Sequence, residues 1–160
     1  MQNKFVALLV MLISSSANAA TWTYKSALDE MSGKSLAQAY AVSDNSLKLD
    51  FPYQGANKAF LVIRDHPLDG LGVVFTIEKG QILCHTDCSV MVRFDDGPVI
   101  ELAATRPTDQ FPKVIFIDDV EKFIAAAARA KTILIQPTLY QNGAPVLRFK
   151  FTQPLRWPSQ

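Results

Sequence analysis

The chain predicts a mainly β domain of the α+β class: an antiparallel sheet or β-sandwich with one late amphipathic helix at about residues 119–130. Three observations carry this. Most segments alternate apolar and polar residues with period two. Gly, Pro, Asn and Asp punctuate them at short intervals. The period lengthens to that of a helix only once, in DDVEKFIAAAARAK.

Taken in order, NSLKLDF (45–51) puts Leu47, Leu49 and Phe51 on one face and Lys48 and Asp50 on the other, a half-buried strand. AFLVI (59–63) and GVVFTI (72–77) are apolar on both faces, which places them in the middle of a sheet or between two layers. DHPLDG between them is a turn, with Pro67 lacking a donor and Gly70 taking dihedrals other residues avoid. Val90, Val92 and Phe94 face inward and Met91 and Arg93 outward; Asp96-Gly97 then turns the chain into PVIEL, with Ile100 and Leu102 inward and Glu101 outward. Residues 72–102 therefore read as a meander of about three strands. In the helix, Val120, Phe123, Ile124 and Ala127 form one apolar stripe over about three turns. Asp118 and Glu121 have capping-box spacing, and Arg129 and Lys131 suit the C-terminal end. KTILIQPTLY resumes the strand pattern, with Pro137 pointing to an edge or bulge. Asn142-Gly143 turns into VLRFKF, where Leu147, Phe149 and Phe151 share a face.

Residues 1–19, MQNKFVALLVMLISSSANA, combine one early positive charge, a short apolar run and an Ala-Asn-Ala exit, the layout of a secretory signal peptide. The apolar run is short of the roughly 20 residues that span a bilayer. The expectation is a periplasmic product starting at Ala20, with residues 20–160 as one secreted domain. No cysteine follows the cut to carry a lipid, and no later stretch reads as a membrane span. Sixteen basic and fifteen acidic residues are spread evenly, so nucleic acid and anionic membranes, which need a concentrated basic face, are poor partners.

Cys84 and Cys88 flank His85, Thr86 and Asp87. Outside the cytosol such a pair is most often a disulfide, here expected to staple the neck of a hairpin between GQIL and SVMVRF. A metal reading would need Cys84, Cys88 and His85 or Asp87 on one ion, but no second ligand pair follows. A redox pair usually has a spacing of two. No metal and no cofactor is expected.

No G-x-S-x-G, H-E-x-x-H or phosphate-cradling glycine loop marks a catalytic site. His66, near Arg64, Asp65 and Asp69, is the first residue to test, against the plainer reading of a polar turn residue. Asp95-Asp96 could hold a cation but is also explained by hairpin chemistry. Trp22, Tyr24 and Trp157 either cover the edge of the core or form a binding surface, the first being the better account of any single aromatic. The binding candidates are thus His66, Trp22, Tyr24, Arg93, Asp95 and Asp96, with no catalytic residue assigned.

Residues 91–151, running through VRFDDGPVIELAATRPTD and VIFIDDVEKFIAAAARAKTILIQPTLYQNGAPVLRFKF, resemble a group of small secreted bacterial proteins. In pattern they are weakly similar to the periplasmic type VI secretion accessory proteins VasI and TagO, and to invasion-associated locus B proteins. The shared features are a strand ending in an Arg-Phe-Asp-like segment, a Phe-containing helix and a closing strand ending in aromatic residues. The resemblance implies a non-catalytic periplasmic binding or accessory protein whose partner is another envelope or secreted protein, in a secretion or transfer system. It supplies no catalytic residue. The alternatives are a small periplasmic hydrolase using His66, and an inhibitor acting through the 84–88 loop.

Overall fold

The computed structural model describes residues 21–85, 87–107 and 111–157; the expected signal peptide and the Ala20 start lie outside them. The elements are β1 (Thr23–Leu28), β2 (Ser35–Val42), β3 (Ala59–His66), β4 (Gly70–Ile77), β5 (Asp87–Phe94), β6 (Val99–Thr105), β7 (Val114–Ile117), α1 (Val120–Ala127), β8 (Thr132–Gln136) and β9 (Leu147–Lys150). The strands form one antiparallel sheet in the order β1-β2-β3-β4-β7-β6-β5-β8-β9. The mainly β expectation with one late helix holds, in its single-sheet form.

The alternation of apolar residues sets the packing. Leu61, Phe75, Val92, Ile115, Ile135 and Phe149 are all buried, and one core cluster takes side chains from β2 through β9 and from the helix. Strands toward both ends of the order, β2 and β9, feed the same cluster, so the sheet curls around it. The residues after β2 close the curl against β9. Asp44 N donates to Arg148 O (2.7 Å), Arg148 N donates to Asn45 Oδ1 (2.8 Å), and Lys150 N donates to Asp44 Oδ2 (2.9 Å). These bonds occupy an edge that would otherwise present unpaired backbone groups. Trp22, just before β1, stacks on Phe151, just after β9, with ring centroids 4.6 Å apart.

Several local expectations change. Residues 45–51 alternate, with Leu47 and Leu49 buried, but they form no ladder and Phe51 is exposed. Asp44 and Asn45 are committed to β9, and only Leu47 N reaches a neighbouring backbone group there, Asn57 O at 2.8 Å. The meander over 72–102 is replaced by a crossover. Val114–Ile117 pairs with β4 on one side and β6 on the other, separating β4 from the β5–β6 hairpin. GQIL contributes an isolated bridge, Ile82 to Leu139, so no hairpin neck precedes β5. Pro137 lies just beyond β8, whose neighbours are β5 and β9, and marks neither an edge nor a bulge.

The helix is two turns, not three. Asp118 is held by β6, its N–H on Ala103 O (3.0 Å) and its carboxylate accepting from the Thr105 hydroxyl (3.2 Å). The N-cap therefore falls on Asp119, which makes no side-chain capping bond. At the other end Arg129 N and Ala130 N both donate to Ala126 O, tightening the last turn so that Ala130 is buried and Lys131 lies just before β8; no basic residue sits in the last helical turn. Phe123 and Ala127 face the core, and the Phe123 ring meets Phe94 edge-on at 5.3 Å.

Candidate functional site

Inward residues of β2, β3, β4 and β7 fill the core, and their outward neighbours are also apolar. Register pairs Val42, Phe60, Thr76 and Val114 in one row and Tyr40, Val62, Val74 and Phe116 in the next. These side chains are half-buried, apart from the exposed Val42. All nine strands belong to one sheet and the helix turns Phe123 and Ala127 inward, so among the described residues no second layer of strands or helix covers this face. This is the two-sided apolar character of AFLVI and GVVFTI, with one side left to solvent.

A third row, Gln38, Arg64 and Gly72, forms a polar margin. Gly72 leaves a gap in it; a Cβ added there would meet nothing within 4 Å. The gap opens into a groove of about 230 Å³ bordered by Arg64, Asp69, Phe116, Asp118 and Val120. Arg64 lies over the Phe116 ring, 5.5 Å from its centroid, and its Nη2 is 3.2 Å from Asp69 Oδ2. Its guanidinium is thereby fixed at the groove's mouth. Small-molecule pockets run to roughly 300–1,000 Å³, so the groove suits a single inserted side chain.

His66 follows Arg64 on the same outward face, at the end of β3. Its Nδ1 accepts the N–H groups of Leu68 (3.2 Å) and Asp69 (3.4 Å), so the proton of the neutral ring is on Nε2. Asp69 Oδ2, 3.5 Å from the same nitrogen, pairs with it only in the protonated ring. The imidazole thus shapes the β3–β4 turn, which is its plainer reading. In the neighbouring β1–β2 turn, the Ser32 hydroxyl and the Met31 N–H hold the Asp29 carboxyl below the ordinary aspartate value, with a smaller contribution in the same direction from His66.

The other candidates are scattered. Trp22 is buried and covers the core's edge, and Trp157 packs partly against the core. Tyr24 is exposed on the edge strand β1, its hydroxyl accepting Arg156 N at 2.9 Å. Asp95, at φ 47°, accepts Lys131 N (2.9 Å) and Thr132 N (2.8 Å) through Oδ1, fastening the start of β8 to the β5–β6 turn. That explains it without a cation. Asp96 is fully exposed, 3.5 Å from Arg93. Among the described residues no group of three His, Cys, Asp or Glu could hold a metal.

Cys84 and Cys88 are disulfide-bonded, with Cα atoms 5.1 Å apart, joining the buried Cys84 of the segment before β5 to the second residue of that strand. The bridge closes so short a loop that chain entropy gives it only about 2 kcal/mol. Cys84→Ser is expected to lower unfolding stability by about that amount in a urea titration while the fold survives. Failure to fold at room temperature would overturn the view of a local staple.

The sequence reading missed Tyr40, Val42, Phe60, Val62, Gly72, Val74, Val114 and Phe116 as a site. The signal was present in the doubly apolar strands, but it is equally the signal of strands covered on both sides. No protein family, curated protein or solved structure matches the chain.

Proposed function

We propose that this protein is a non-catalytic binding module of the bacterial envelope, docking another envelope or secreted protein through the outer face of β2, β3, β4 and β7. The observation that carries the reading is the pair of in-register apolar rows with no second layer on them among the described residues. Contiguous exposed apolar surface rimmed by polar groups marks interaction sites, and Tyr, Phe and Arg are favoured at their centres. Tyr40, Phe60 and Phe116 supply the aromatic area, Arg64 and Gln38 the margin, and the Gly72 gap a socket for one anchoring side chain. The spacing of residues 1–19 supports export to the periplasm, and the pattern shared with VasI and TagO supports service to a secretion or transfer system.

The test is capture of partners from periplasmic extract by residues 20–160, run beside a Phe60→Glu form. A partner held by the first and lost by the second supports this face; equal capture by both refutes it. Export is tested separately by mass spectrometry of the periplasmic product, expected to start at Ala20. Retention of the amino-terminal methionine would refute the signal peptide.

The hydrolase alternative makes a different prediction. A positioned general acid or base contributes roughly 10²-fold or more to turnover, so an enzyme using His66 would be crippled by His66→Ala. With Nδ1 engaged by the turn backbone, His66→Ala is expected to leave complementation of a gene deletion nearly intact. Complete loss of complementation by a folded, normally abundant His66→Ala protein would favour the enzyme.

A further inference from the structure

A second groove lies where the segment before β1 crosses the segment after β9. It has a volume of about 340 Å³ and is walled by Trp22, Tyr24, Thr152, Gln153, Pro154 and Arg156. That exceeds the Gly72 groove and falls within the roughly 300–1,000 Å³ of small-molecule sites. Backbone bonds fix its frame: Phe151 N donates to Lys131 O (2.7 Å), Leu155 N to Ala127 O (3.2 Å) and Arg156 N to the Tyr24 hydroxyl (2.9 Å). Trp22 is set by its stack on Phe151, with centroids 4.6 Å apart. Tyr24 pairs with the buried Ala39, so its ring lies on the opposite side of the sheet from Tyr40 and the outer face of β2, β3, β4 and β7.

The walls of this groove are rich in donors that nothing neutralises. Trp22 is 6% exposed, and its Nε1–H is buried without an acceptor among the described residues. Buried polar groups nearly always have a partner, and an indole nitrogen can only donate, so what fits it is an acceptor. The exposed Arg156 guanidinium enters none of the ion pairs or side-chain hydrogen bonds among the described residues. The Tyr24 hydroxyl, accepting from Arg156 N, keeps its own proton to donate. No Asp or Glu lines the groove. Asp95, which reaches the backbone at Lys131, is committed there to Lys131 N (2.9 Å) and Thr132 N (2.8 Å).

A carboxylate matches this set. It is planar and accepts two parallel N–H bonds from a guanidinium, with lone pairs left for the indole and the phenol. Its single negative charge balances the single lining cation, which a dianionic phosphate would exceed. Trp22, Pro154 and the Tyr24 ring supply apolar wall beside the donors. From this juxtaposition we infer that the groove binds a small carboxylic acid with an apolar body, the carboxylate held by Arg156 and the Trp22 indole N–H and the body laid on Tyr24 and Pro154. The site does not depend on the outer docking face, so a partner protein and this ligand can be held together.

The probes are phenylacetate, phenylacetamide and phenyl phosphate, added to the folded protein and followed by NMR. The reporter is the Trp22 indole N–H resonance, told from that of Trp157 by a Trp157→Phe form. Phenylacetate is expected to shift it saturably in the millimolar range, as suits so small a ligand, and to bind about tenfold or more tighter than the amide, with the difference shrinking as salt rises. Phenyl phosphate is expected to bind no tighter than phenylacetate. Arg156→Gln, a change to an exposed side chain, is expected to weaken phenylacetate by about tenfold or more while the rest of the spectrum stays in place. An indole resonance that does not respond, as when its acceptor is only water, would overturn the assignment. So would equal binding of acid and amide, or unchanged binding by Arg156→Gln. Clearly tighter binding of phenyl phosphate would overturn the carboxylate as the ligand class.

Discussion

Replacing Val62 and Phe116 together by glutamate is expected to leave the protein folded and normally abundant, yet to abolish its complementation of a gene deletion. Both side chains point away from the core and are half-buried on its outer face, so replacing them opens no internal cavity. The new carboxylate at 116 would lie beneath Arg64, whose guanidinium now covers the Phe116 ring. Docking is another matter. A partner covering this face would have to strip water from two carboxylates at its centre, at a cost of several kcal/mol, and each 1.4 kcal/mol is about a tenfold loss of affinity. A weakening of roughly 100-fold or more follows. Gly72→Val gives an independent reading: Gly72 has ordinary strand geometry with open space at its Cβ position, and valine suits a strand. That change should preserve or raise stability while filling the socket and reducing partner capture. Full complementation by the folded double variant would sink the docking face as the site of function.

The largest stability effect is expected at Phe123→Ala. The helix reaches the core through Phe123 and Ala127, both essentially inaccessible, and the Phe123 ring meets Phe94 edge-on. Truncating a buried phenylalanine costs about 3–5 kcal/mol through lost transfer energy and the cavity left behind. Of that, about 0.5–1.5 kcal/mol is the edge-to-face contact. Against a total stability of about 5–15 kcal/mol, the melting temperature should fall by on the order of 10 °C. The short helix makes this sharper, because two turns without a side-chain cap have little stability of their own. Calorimetry of the two proteins checks it. A fall of only one or two degrees would mean that the helix is not anchored through this ring.

Local periodicity and turn chemistry were enough to read the class of fold, the inward faces of β5, β6 and β9, the apolar stripe of the helix, and the Cys84–Cys88 bridge. Each depends on neighbours in sequence: alternation over a few residues, Gly and Asp at turns, two cysteines four apart. β1 and β2 were harder, because the buried positions of β2 are alanines, Ala39 and Ala41, with little apolar contrast to their neighbours.

What tertiary structure alone decided was which strands meet and which faces stay open. The four residues of β7 insert between β4 and β6 and undo the meander, a long-range pairing with no local mark. Asp118 goes to Thr105 instead of the helix cap, and Asp95 to the start of β8, because partners distant in the chain satisfy those carboxylates. The same is true of the proposed site. A strand apolar on both sides has one pattern whether its second side is covered or bare, since hydrophobic periodicity records which way side chains point and not what lies opposite them. Only the curling of a single sheet around one core leaves Tyr40, Phe60, Val62, Val74 and Phe116 facing outward together.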